Sequence, residues 1–187
     1  SAMEDSLKAI AWLENYAQEQ GFEISALGLL GGSAGAVTSL NVGYGLNDYG
    51  FAVPEFKVVV NHWGNLVIDQ ESSKPSITAD EAALISVHGT EDPTVLYAGS
   101  VEIHARADEV GLTNELMTSE GAGHGFDANR LWDSESFEGS GYTKGERILN
   151  FVNAAMRTSS GPHEGGTDLR ILSAYHGLDP LPALATA

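Results

Sequence analysis

The chain is predicted to be an α/β protein of three layers, with helices on both faces of a mostly parallel sheet. Three observations point there. Short apolar runs of strand length alternate with longer runs whose apolar residues recur every three to four positions. The apolar runs are bounded by glycine-rich or otherwise turn-forming chain. Three clusters of chemically active side chains each begin where an apolar run ends, and the ends of parallel strands are where open α/β sheets gather their sites. With 187 residues, 42% hydrophobic and 19% charged, the expectation is one domain with a sizeable core.

The elements follow in order. From Glu4 to Gln20, Leu7, Ile10, Leu13, Tyr16 and Ala17 fall at helical spacing with polar residues between them, and Gly21 closes the helix. Ile24 to Leu30 reads as a buried strand, Gly31 to Gly35 as a turn, and Ala36 to Val42 as a second helix. The Gly-, Asn- and Tyr-rich stretch from Asn41 to Pro54 is expected to be an irregular loop near the site. Phe56 to Val60 and Ala83 to Val87 read as strands, with too short a stretch between them for a large lid. Val95 to Val110 is helical and closed by Gly111, Thr113 to Thr118 is a fourth strand, and Ile148, Phe151, Val152, Ala155 and Met156 mark a last helix. The core is expected over residues 4–157, with 158–187 an arm or a disordered tail. The opening Ser1-Ala2-Met3 resembles an expression scar, and no secretory signal follows it.

Composition removes several classes of function. The net charge of -17, from 26 acidic and nine basic residues, repels nucleic acid and anionic membrane surfaces. The absence of cysteine excludes thiol chemistry and zinc–thiolate sites. No apolar run reaches the roughly 18 residues that span a bilayer, so a soluble protein is expected, cytoplasmic or secreted. No P-loop, G-x-G-x-x-G or H-E-x-x-H motif supports phosphate, dinucleotide or zinc-protease chemistry.

Gly31-Gly32-Ser33-Ala34-Gly35 fits G-x-S-x-G at a strand-to-helix turn. A serine on that sharp turn is exposed at the sheet end, and the amide of Ala34 faces the position of a developing oxyanion. The competing reading is a glycine-rich helix start capped by Ser33. A serine hydroxyl is a weak nucleophile without a base that is itself oriented by an acid. His124 follows the fourth strand and Asp92 the third, in the chain order serine, acid, histidine. Glu91 rivals Asp92 for the acid. His62 and Trp63 are candidates to line a substrate pocket or, equally, to be buried structural residues. His88 reads as a structural residue of the strand end, and His104, His163 and His176 have no assigned role.

Three blocks, Leu29 to Ala36, Val87 to Val95 and Gly121 to Phe126, together resemble the α/β-hydrolase superfamily, especially lidless carboxylesterases and dienelactone-hydrolase-like or feruloyl-esterase-like members. The resemblance implies a truncated α/β-hydrolase fold with Ser33, Asp92 and His124 catalytic. It also implies ester hydrolysis through an acyl-serine, with small or aryl esters as substrates and no metal or organic cofactor. A peptidase, a lactone hydrolase and a carbohydrate deacetylase are neighbouring chemistries. Members of the family carry further strands ahead of the nucleophile and take a second oxyanion donor from them, whereas one helix and one strand precede Ser33 here. Two expectations follow: an open edge on the first strand that a homodimer would cover, and the alternative of a weak or inactive hydrolase-like fragment with an assembly or binding role.

Overall fold

The structure, a computed structural model, describes residues 1–66, 76–125, 141–157 and 172–173. It contains α1 (Ala2–Gln20), β1 (Gly28–Gly32), α2 (Ala34–Leu40), β2 (Val58–His62), β3 (Ala83–Gly89), α3 (Tyr97–Val110), β4 (Asn114–Ser119), α4 (Lys144–Arg157) and the two-residue β5 (Leu172–Ser173). The strands form one parallel sheet in the order β4-β3-β2-β1-β5.

Each helix is set by its ends and one apolar face. Ser1 and Glu4 form a capping box at the start of α1, so Ser1 to Met3 belong to a folded helix terminus, and Gly21 closes the helix at φ 74°. Ile10 and Ala17 are buried and Leu7 and Leu13 pack on the core, but Tyr16, expected on the buried stripe, is 41% exposed. It stacks on exposed Trp12 instead, with ring centroids 5.3 Å apart. Gly111 closes α3 in the same left-handed way, at φ 79°.

The strands sit one to four residues later than the apolar runs suggest, except β3, which starts at the expected Ala83 and runs on to Gly89. Pairing explains the shift at β1: its ladder begins at Gly28 opposite Val58, one residue after the Leu27 carbonyl accepts from the Lys57 amide (2.8 Å). Alternation along the strands then builds two cores. Val58, Val60, Ile85 and Val87 face Ile148, Phe151 and Val152 of α4. Leu29, Val59 and Leu84 face Ile10 of α1, Leu40 of α2, and Ile103 and Ala107 of α3. This is the expected three-layer arrangement.

Two expectations are corrected. The stretch after α2 does not begin as an irregular loop: Asn41–Gly45 continues the helix as a π turn, with Asn41, Val42, Tyr44 and Gly45 buried. The Tyr44 hydroxyl donates to the Ala82 carbonyl (2.9 Å), and a Cβ on Gly43 would stand 2.8 Å from Val59, so tight packing on β2 holds the segment. The outer edge of β1 is not fully open, because β5 pairs with Leu29 and Leu30. The rest of the tail after residue 157, including His163 and His176, lies outside the described residues, as do Phe126 and residues 67–75 between β2 and β3.

Buried polar groups are connected across the sheet. Asn61 on β2 accepts from the Gly64 amide (2.8 Å) and donates to Ser86 Oγ (3.0 Å) on β3. Ser86 donates to His104 Nε2 (2.7 Å), His104 Nδ1 donates to Asn114 Oδ1 (2.6 Å), and Asn114 donates to Asp108 (2.7 Å). Because the Asn61 amide nitrogen only donates to Ser86, the serine proton is free for His104, and the ring is neutral with its hydrogen on Nδ1.

Candidate active site

The register aligns Gly32, His62 and Val87 across β1, β2 and β3, so the chain leaves all three strands on one edge. Ser33 leaves β1 with φ 52° and ψ -121°, a left-handed conformation costly for a residue with a Cβ. Its amide extends the ladder by bonding the His62 carbonyl (2.9 Å), and its carbonyl accepts from Val37 as α2 begins. The turn is this tight because residue 31 lacks a side chain: a Cβ there would collide with the Gly35 carbonyl.

Asp92 and His124 meet because the turns after β3 and β4 are laced together. Thr90 N bonds Ser119 O (3.1 Å), Glu91 N bonds Ala122 O (3.0 Å), and Gly121 N bonds Thr90 Oγ1 (2.9 Å). A Cβ on Gly89 would strike the backbone of Ala122, so glycine permits this approach. The outcome is a continuous chain: Ser33 Oγ is 2.8 Å from His124 Nε2, and His124 Nδ1 is 2.7 Å from Asp92 Oδ2. The carboxylate can only accept, so Nδ1 carries the hydrogen and Nε2 is open to the serine proton. Ser33 and His124 are half-buried and the Asp92 side chain is fully buried.

Asp92 Oδ1 accepts from the amides of Thr94 (2.8 Å) and Val95 (2.9 Å). Burial alone would push the carboxyl up, but the Val95 amide, the His124 ring and the Thr94 amide outweigh it and hold the group below its ordinary value. The group is therefore an anion at neutral pH beside a histidine that can become a cation. Glu91, its rival in the sequence, is exposed and bonds the neighbouring turn only through its backbone.

Sequence reasoning missed a second histidine on the same carboxylate. His88 is fully buried, with Nε2 3.2 Å from Asp92 Oδ2 and 2.9 Å from the Val95 carbonyl, and Nδ1 2.7 Å from Ser100 Oγ. The available signal was its position four residues ahead of Asp92 at the end of a strand, where the chain folds back on itself. Ala34 occupies the first position of α2 and is exposed, with an amide among those that no helical carbonyl reaches.

His62 and Trp63 are adjacent at the end of β2 but are 6% and 5% exposed. Trp63 packs into the α4 core, takes φ 44°, and lies with its indole nitrogen near Gly125, beside His124. The His62 ring nitrogens have no hydrogen-bond partner among the described residues, and burial pushes its pKa down to about 4. Among the described residues no cluster of three or more His, Asp or Glu could hold a metal ion, and no helix is long and apolar enough to cross a membrane.

No protein-family model matches the sequence and no curated protein is significantly similar to it. Solved structures are similar in fold. A truncated form of a carbohydrate esterase from gut microbiota matches with TM-score 0.62 at 16% identity, over 82% of this chain and 68% of that one. The thermophilic esterase Est2 of Thermogutta terrifontis matches with TM-score 0.59 at 21% identity, over 87% of this chain and 66% of that one. Esterase PE8 matches with TM-score 0.54 at 18% identity, over 82% and 61%. Other structures of the Thermogutta enzyme carry propionate, butyrate or a phosphonyl group from cyclosarin. The chain thus spans about two thirds of the length of the structures it matches, between 61% and 68% for these three. A parallel sheet between helical layers, a strained serine at the end of one of its strands and these likenesses agree: the chain has the α/β-hydrolase fold.

Proposed function

We propose that the chain is a serine esterase acting on small or aryl esters. The observation that carries this reading is the series of contacts at 2.8 and 2.7 Å from Ser33 through His124 to Asp92, with the serine on a strained turn. In the proposed reaction Ser33 Oγ attacks the ester carbonyl carbon while His124 Nε2 takes its proton. The oxyanion is held by the Ala34 amide, and Asp92 stabilises the imidazolium. His124 then returns the proton to the departing alcohol, leaving an acyl-serine. Water, deprotonated by the same ring, releases the acid. Short acyl groups are favoured by analogy with the neighbour that holds propionate and butyrate. His62 and Trp63 would contribute from beneath the substrate as buried walls.

The test is hydrolysis of p-nitrophenyl acetate together with labelling by a fluorophosphonate, with Ser33→Ala as the control. Turnover and labelling that both vanish in Ser33→Ala are expected. Turnover that persists in Ser33→Ala would remove the assignment.

One observation favours a second reading, a weak or inactive hydrolase-like chain with an assembly or binding role: the chain spans 61–68% of the length of the structures it matches, and the proposed oxyanion donor within it is the Ala34 amide. One such donor is worth about a hundred- to a thousandfold in turnover. Absence of both turnover and labelling in the wild type would favour that reading. Under either reading we propose a second copy of the chain as a partner at the β1 edge, since among the described residues β5 pairs with Leu29 and Leu30 of the five-residue β1; a monomer by sedimentation at micromolar concentration removes this.

A further inference from the structure

We propose that His88 is a positioning residue of the site, holding the Asp92 carboxylate through its Nε2 so that Oδ2 stays directed at His124 Nδ1. The inference rests on the esterase reading of Ser33 and extends its chain of contacts inward to α3.

The tautomer follows from the partners. The Val95 carbonyl, 2.9 Å from His88 Nε2, can only accept, so Nε2 carries a hydrogen. That hydrogen is shared with Asp92 Oδ2 at 3.2 Å. In the neutral ring Nδ1 is then an acceptor, and Ser100 Oγ donates to it at 2.7 Å. The Val95 carbonyl and the Asp92 carboxylate therefore select the tautomer of His88, and Ser100 on α3 completes it from the other side of the ring. The sequence of donors runs from Ser100 to His88 to Asp92, and from the other side from Ser33 to His124 to Asp92.

Asp92 thereby accepts four hydrogen bonds: two from Thr94 and Val95 on Oδ1, and two from His124 and His88 on Oδ2. The backbone pair alone leaves the carboxylate able to swing its second oxygen. His88 prevents this by bonding Oδ2 and the Val95 carbonyl at once, which ties both ends of the Asp92–Val95 turn to one ring. Among the described residues Tyr97 also faces His88, its ring edge-on at 5.8 Å and its hydroxyl engaged with Thr118 at 2.7 Å. His88 itself is 0% exposed and lies behind Asp92, so it acts through the carboxylate and touches no substrate.

The test compares His88→Leu, His88→Gln and Ser100→Ala with the wild type by p-nitrophenyl acetate kinetics against pH and by NMR titration of the His124 imidazole. In His88→Leu, kcat is expected to fall by up to about a hundredfold with KM little changed, the scale of a roughly 1 Å misplacement of a reacting group. The acidic limb of kcat/KM and the NMR titration of His124 are both expected to move to lower pH, because a loosened Asp92 stabilises the imidazolium less. His88→Gln, whose amide N–H reaches the same two acceptors, should restore most of both. Ser100→Ala should move the limb in the same direction by less, and it carries the test if His88→Leu does not fold. An unchanged kcat and limb in a folded His88→Leu overturns the proposal. So does a loss of kcat that follows thermal stability alone with an unmoved His124 titration. Because the NMR titration needs no turnover, a wild type that neither hydrolyses nor labels defeats the esterase reading while the His88 proposal is still decided.

Discussion

Two chains of hydrogen-bonded side chains run side by side over the α3 face of β3, and each contains a fully or nearly buried histidine. Ser86 and His88 are two residues apart on the strand and so share a face, and they meet His104 and Ser100, one turn apart on α3. The inner chain passes from Asn61 on β2 through Ser86 and His104 to Asn114 and Asp108, an exposed residue of α3. The outer chain passes from Ser100 through His88, Asp92 and His124 to Ser33, and its last hydroxyl sits on a strained turn at the sheet edge. The residue types are nearly the same. What separates a structural relay from a candidate catalytic one is an anion in the middle and a strained serine at an open end. In the inner chain both ends are spent on holding backbone and helix.

That contrast is breakable in several places. The largest effect is expected for Ser33→Ala, which removes the open end: p-nitrophenyl acetate turnover should fall by about ten-thousandfold or more, with the folded state unchanged by circular dichroism. Gly89→Val comes next, because a side chain there drives the β4 turn away from Asp92. Activity should drop by about a hundredfold and thermal stability should fall with it, as overpacking costs typically ~1–3 kcal/mol. A Gly89→Val variant with wild-type kinetics would mean that the laced turns do not position His124.

His62 belongs to neither chain and sharpens the comparison through pH. It stays neutral in the fold down to about 4, whereas the unfolded chain protonates it near 6.5. Between those values the unfolded state binds more protons, so stability falls as pH drops through the window and is flat below it. The gap corresponds to about 3 kcal/mol. Urea unfolding at pH 7 and pH 4 should show this loss in the wild type and less of it in His62→Phe; equal losses would contradict the buried neutral ring. The smallest effect is expected for His104→Leu. It removes the acceptor of the Ser86 hydroxyl and the donor to Asn114 Oδ1 and should cost about 1–3 kcal/mol of stability with kcat unchanged. A tenfold fall in kcat there would show the two chains to be coupled.

The catalytic candidates Ser33, Asp92 and His124 were legible because each follows an apolar run at a strand end, and a parallel sheet delivers such ends to one edge. His88 was not. Its signal, a histidine four residues before an aspartate, is ordinary until the turn from Gly89 to Val95 folds the carboxylate back under the strand. Tyr16 was misread because a helical stripe does not say where the covered face stops, and Trp12 offered it a partner on the surface. The π turn at Asn41–Gly45 was hidden because Gly and Asn usually signal loops, while here the missing Cβ of Gly43 serves close packing on Val59.

Local sequence therefore determined the class of fold, the order of its elements and which three residues stand at the strand ends, because periodicity and turn chemistry act over a few neighbouring positions. Tertiary structure alone decided the strand starts, the meeting of Asp92 with His124, the tautomers of His88 and His104 and the isolation of His62. Each of these depends on which donor or acceptor lies across a gap between distant segments, and no local pattern encodes that distance.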